Sequence, residues 1–144
     1  MHRILVVAHK TLVGPHLLEE VRTRMQRGEC SVHLVVPVIH PFSAFTEASL
    51  HAEAQQVLDE GLRRFRELDP TGQMEVTGEV GDASPAYAAE VVKNRGVEID
   101  EVIVSTLPRG ASRWLLGNVP KKVERVFPDI EVTHVEAAEQ PAPA

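Results

Sequence analysis

Ile4-Leu5-Val6-Val7-Ala8, then Pro15 to Arg27, then Val32-His33-Leu34-Val35-Val36 is the stretch that decides the fold. Two short β-branched, near-continuous apolar runs flank a segment of helical period, which is the pattern of a strand–helix–strand unit with strands buried on both faces. The helix has its own start and stop: Pro15 fits a first turn, where no N–H is needed, and Gly28 suits a terminus. Outward from this unit the alternation continues. Val102-Ile103-Val104 is a third interior run. Met74 to Val80 and Ile130 to Val135 alternate apolar with polar residues, as strands toward a sheet's edges do.

Between them lie three further helical segments. Thr46 to Leu68 places Ala54, Val57, Leu58, Gly61, Leu62, Phe65 and Leu68 on one apolar stripe, and Pro70 and Gly72 end it. A helix opens at Ser84-Pro85, runs through Tyr87, Ala88, Val91 and Val92, and closes at Gly96. The last spans Ser112 to Phe127, with a kink or late start expected where Gly117 and Pro120 interrupt it. Five strands and four connecting helices predict one α/β domain over residues 1–136, a three-layer α/β/α sandwich on a mostly parallel sheet. The Ala- and Pro-rich residues 137–144 read as a disordered tail.

Composition bounds the function. The 144 residues suffice for one core. Fifteen Lys and Arg against twenty-one Asp and Glu give a net charge of −6, which opposes unspecific binding to nucleic acid or anionic lipid, so any anion site must be local. No apolar stretch is long enough for a membrane helix, and the short run after Met1-His2-Arg3 lacks the features of an export signal. The single Cys30 has no partner for an internal disulfide and no neighbouring base, and reads as an idle thiol. A cytoplasmic location follows as an expectation.

In an open parallel sheet ligands bind beyond the carboxyl ends of the strands, where the strand order reverses. The informative loops are therefore Ala8-His9-Lys10-Thr11, with Pro37 ending the neighbouring strand, and Ser105-Thr106-Leu107-Pro108-Arg109-Gly110-Ala111-Ser112-Arg113. The second combines hydroxyls, a glycine and two arginines ahead of a helix start, a setting that suits a phosphate. The competing reading is that Ser112 caps its helix while Arg109 and Arg113 are solvated surface charges. Trp114 can stack on a base, although a lone Trp on a helix more often packs in the core. His9 and His40 end neighbouring strands, but no histidine pair has the spacing of a helical metal site, and no metal is expected. His33 and His134 lie within strands as edge or surface residues. Neither loop holds an acidic residue, and both the P-loop and the Gly-x-Gly-x2-Gly fingerprint are absent, so phosphoryl transfer and dehydrogenation are not expected.

Over residues 3–135 the chain resembles the universal stress protein family. The residues that carry the resemblance are the opening strand followed by His9-Lys10-Thr11 where the family has Asp-Gly-Ser, the turn Gly81-Asp82-Ala83-Ser84-Pro85, and the strand Asp100-Glu101-Val102-Ile103-Val104. His9 thus stands in place of the family's adenine-contacting Asp. Leu115-Leu116-Gly117-Asn118-Val119 is similar to the Leu-Leu-Gly-Ser-Val of the family's Gly-x2-Gly-x9-Gly-Ser/Thr phosphate loop, with Ser105 and Pro108 in place of the first two glycines and one residue fewer before Gly117. The resemblance implies strand order 3-2-1-4-5, a Rossmann-like, adenine nucleotide alpha hydrolase-like fold, and a regulatory domain of the stress response that binds a small phosphorylated ligand, ATP or AMP, with Mg²⁺ accompanying ATP. The candidate ligand residues are Ala8, His9, Lys10, Thr11, Pro37, Ser105, Thr106, Arg109, Gly110, Ser112 and Arg113, with Gly117 and Asn118. The resemblance also implies a homodimer through the last strand, with Ile130, Val132 and His134 at its edge. The altered glycines leave open a second reading, a non-nucleotide interaction module of the same fold.

Overall fold

A computed structural model describes residues 1–39 and 46–137. Strands β1 (His2–Val7), β2 (Cys30–Pro37), β3 (Val76–Gly81), β4 (Glu101–Thr106) and β5 (Glu131–Glu136) form one sheet in the order β3-β2-β1-β4-β5. All four pairings are parallel, so the sheet is wholly rather than mostly parallel. The three runs expected inside are inside, and the two alternating segments are the edges. Helices α1 (Pro15–Arg27) and α2 (Glu47–Glu67) cover one face, and α3 (Pro85–Asn94), α4 (Arg113–Leu116) and α5 (Val119–Val126) the other. The alternation of each interior strand divides the core accordingly: Ile4 and Val6 join Leu17, Val21, Ala54, Leu58 and Phe65, while Leu5 and Val7 join Ala88, Val92, Val123 and Phe127.

The helix starts follow from the sequence. Thr46 and Ser84 accept hydrogen bonds through their side chains from the N–H groups of Ser49 and Tyr87, and α1 begins at Pro15 with no side-chain cap. In α2 the buried positions are Leu50, Ala54, Leu58, Gly61 and Phe65. Gly61 gives space: a Cβ on it would lie 2.3 Å from Leu12 Cδ2, so a larger residue would require the Leu12 side chain to shift.

The segment Ser112 to Phe127 departs from a single kinked helix. Gly117 caps α4, Asn118 turns left-handed at φ 57, and α5 restarts at Val119-Pro120. Pro120 cannot donate within a continuing helix but is favourable in a first turn, so the chain breaks once and begins again. At the other end Ala137 donates its N–H to Thr106 O, and residues 138–144 of the expected tail lie outside the described residues. No helix among the described residues is long and apolar enough to cross a membrane.

Candidate functional site

β1 pairs with β2 on one side and β4 on the other, so the chain turns outward in opposite directions from the carboxyl ends of β1 and β4. The loops there diverge and leave a crevice. A hydrogen bond ties them at its base, between the hydroxyls of Thr11 and Ser105 at 2.6 Å, both groups buried. Around it opens a cavity of about 350 Å³. From β1 it is lined by His9, Lys10 and Thr11. Val38 and Ile39 after β2 and Ala83 after β3 make an apolar wall. Ser105, Thr106, Leu107, Ala111, Ser112, Arg113 and Trp114 form the β4 side.

The expected residues divide. His9, Lys10, Thr11, Ser105, Thr106, Ser112 and Arg113 meet at the cavity. Ala8 and Pro37 are buried at their strand ends and do not line it. Arg109 and Gly110 are exposed outside its wall, with Arg109 N–H held by Glu136 Oε1 at 2.5 Å. Gly117 and Asn118 are exposed in the α4–α5 break, also outside the wall. Trp114 is half-buried, packing partly on the α3–α5 core while facing the cavity, so core burial is only part of its role. Val38, Ile39, Ala83, Leu107 and Ala111 were not singled out; the turn motif Gly81 to Pro85 was the one signal that could have drawn in Ala83.

The loop after β4 is a closed turn. Pro108 O accepts from the N–H groups of both Ala111 and Ser112, at 3.0 and 3.1 Å, and Gly110 takes φ +95, which only glycine adopts without strain. Ser112 Oγ caps α4 by accepting from Leu115 N–H, as the capping reading required. Two backbone donors are thus spent inside the loop. Gly117 has φ −82 and ordinary clearance for a Cβ, so nothing in the fold demands glycine there.

His9 is 4% exposed, and its Nδ1 is sealed from solvent with no hydrogen-bond partner among the described residues. Burial lowers its pKa from the ordinary histidine value, with Glu53 of α2 pulling it up and Lys10 pulling it further down, so the imidazole is neutral at pH 7. His40, the residue expected to meet it, lies outside the described residues. Among those described, no group of His, Cys, Asp and Glu is placed to hold a metal ion. His134, exposed on the edge strand β5, bonds Thr106 Oγ1 through Nε2 at 2.8 Å, and His33, half-buried on the interior strand β2, bonds Thr77 and Glu79 of β3. Cys30 is buried against Gly28 O and burial pushes its thiol pKa up, so it is a poor nucleophile.

Sheet order, helix layers and a switch-point cavity define an open α/β domain with helices on both faces of a parallel sheet. Neither a family model nor a curated protein sequence matches the chain. Solved structures do, and they give the fold its name: it is that of the universal stress proteins. Universal stress protein UspA from Lactobacillus plantarum superposes with a TM-score of 0.68 at 20% identity, over 93% of this chain and 97% of that one. A universal stress protein family protein from Arabidopsis thaliana, solved with AMP bound, gives 0.60 at 13% identity over 100% and 97%. A universal stress protein in complex with cAMP gives 0.55 at 14% over 95% and 98%.

Proposed function

We propose that this chain is a small-ligand-binding regulatory domain that takes an adenine nucleotide into the switch-point cavity. The observation that carries the reading is the cavity's division: an apolar wall of Val38, Ile39 and Ala83 on the β2–β3 side, and hydroxyls with the cations Lys10 and Arg113 toward β4. A base fits the first and a phosphate the second. A volume of about 350 Å³ lies at the small end of the usual range for ligand sites, which favours a nucleoside monophosphate over ATP. That two proteins of the same fold were solved with AMP and cAMP supports the same reading. Because Pro108 O occupies the N–H groups of Ala111 and Ser112, the phosphate is held by side chains, and affinity falls with added salt. The role proposed is binding without turnover. If ATP binds, its Mg²⁺ is carried by the phosphates. The reading places the domain in the cytoplasm.

The test is calorimetric and thermal-shift titration with AMP, cAMP and ATP, with and without Mg²⁺. A ligand that binds the native state at 100 times its Kd stabilises by about 2.7 kcal/mol, a readily measured rise in Tm. Lys10→Ala combined with Arg113→Ala should abolish most of that rise, while Arg109→Ala, outside the wall, should not. No shift at millimolar nucleotide refutes the reading. The closed Pro108 turn favours, in that event, a second one: an interaction module of the same fold that works as a homodimer through β5.

A further inference from the structure

Charge is unevenly spread over this acidic chain. Of its fifteen lysines and arginines five lie between Arg109 and Arg125, and of its twenty-one acids only Glu124 does. Elsewhere arginines are matched by neighbours: Arg3 pairs with Glu98, Arg22 with Glu19, Arg24 with Glu101, Arg63 with Glu60 and Arg95 with Glu79. On α5 the cations have no such match. Lys121, Lys122 and Arg125 are exposed and form no ion pair among the described residues. Val119 and Val123 are buried on the inner side of α5, so helical geometry sets Lys121 and Arg125, one turn apart, on its outer side with Lys122 beside them. Like charges at that spacing repel, and lysines in the first turn oppose the helix dipole. No acid offsets them in that turn. Stability does not ask for this arrangement, and local rules are broken in this way where a surface serves a function.

Leu116 stands beside these cations. It ends α4, two residues before the left-handed Asn118 from which α5 starts, and at 87% exposure it is the most exposed large apolar side chain among the described residues. A lone exposed leucine is ordinary. One next to a run of uncompensated cations has the make-up of an interface, an apolar anchor with a charged rim. We infer that Leu116, Lys121, Lys122 and Arg125 form a docking surface for an acidic segment of another protein, whose carboxylates meet the three cations while an apolar side chain covers the leucine. Reach decides the occupant. Fields at physiological salt fade within about 8 Å, so a short segment feels this patch alone. A membrane or a nucleic acid extends past the patch over a chain of net charge −6 and is repelled there. α4 joins the surface to the cavity, since Trp114 lines the cavity two residues before Leu116. The inference is independent of whether a nucleotide binds there.

The test uses the full ¹⁵N-labelled chain and a defined probe, a short peptide with glutamates one helical turn apart and a leucine between them. The same peptide with glutamine for each glutamate is the control. At about 50 mM salt the expected result is a Kd below about 100 μM, amide shifts gathered at residues 115–125, and severalfold weaker binding at about 300 mM. Lys121→Glu with Arg125→Glu should weaken the acidic peptide about tenfold or more, and Leu116→Ser about tenfold. Arg27→Glu, an exposed cation on the α1 side of the sheet, should change nothing. Equal binding of the glutamine peptide, shifts centred elsewhere, or no binding overturns the inference. So does binding of 3:1 phosphatidylcholine–phosphatidylserine vesicles in place of the peptide, which gives the surface to a membrane. If amides 115–125 shift with protein concentration alone the occupant is a second copy, and if they shift when residues 138–144 are removed it is the chain's own end. Either result overturns the acidic partner. Amide spectra of the variants report whether they fold, and where one does not, the titrations of the unaltered protein decide.

Discussion

Replacing Arg24 with Met should cost this domain more than any change of similar size on its surface. Glu101, at the start of β4, is 3% exposed and still ionised. Arg24 of α1 donates to both its oxygens, Nε to Oε1 at 2.9 Å and Nη2 to Oε2 at 2.7 Å. His2 Nε2 bonds Oε1 at 2.9 Å, and Thr133 Oγ1 donates to Oε2 at 2.7 Å. Burial alone would push the carboxyl pKa up; the hydrogen bonds from Arg24, His2 and Thr133 outweigh it and bring the value down from 4.5 to about 2. A lowering from 4.5 to about 2 corresponds to roughly 3 kcal/mol, shared among Arg24, His2 and Thr133. The size for Arg24 itself comes from the ion pair: removing one partner of a buried pair costs about 3–5 kcal/mol. Urea unfolding at pH 7 should therefore show Arg24→Met destabilised by about 3 kcal/mol or more, and Arg24→Met with Glu101→Met should recover most of the loss, because no buried charge is then left unpaired. Since the folded pKa is the lower one, Glu101's contribution is fully present above about pH 4.5 and fades as pH falls through about 2. A loss below about 1 kcal/mol in the single variant, or a double variant no better than it, would refute the argument.

Gly61→Ala should lower stability by about 1–3 kcal/mol in the same unfolding assay, although alanine is the better helix former, because the new methyl meets Leu12 at 2.3 Å; a neutral or stabilising outcome would show that Leu12 can move aside. β5 pairs only with β4 among the described strands, which leaves its other edge open to pairing. If that edge is used, light scattering should find the protein dimeric and Val132→Pro monomeric, with circular dichroism checking that the variant is folded. A monomeric parent protein, or a dimer that survives in the folded variant, moves the interface elsewhere.

The segments between Ile4 and Val36 were legible because each signal in them is local. Burial on both faces leaves a strand with an unbroken apolar run, and Pro15 and Gly28 set helix limits within a residue or two. Thr46 and Ser84 announced their helices for the same reason, since a cap needs only an N–H three residues on. The break after Gly117 was half legible: its glycine and proline signalled an interruption, but the left-handed Asn118 that resolves it is selected by how α5 must seat on α3 and the sheet.

Chemistry at the switch point divides in the same way. The sequence by itself determined that two strand-end loops carry hydroxyls and cations, and that Cys30 has no internal partner. Tertiary structure alone decided which of those groups share a cavity. Arg109 and Arg113 are four residues apart in one loop, yet the Pro108 turn leaves the first outside the wall and places the second on it. Val38 and Ile39 give no local sign of their role, because a cavity wall is assembled across strands whose neighbours are set by sheet order, and spacing along the chain does not record which side chains meet there. His9 became informative for the same reason: whether a buried nitrogen has a partner is a property of everything packed around it.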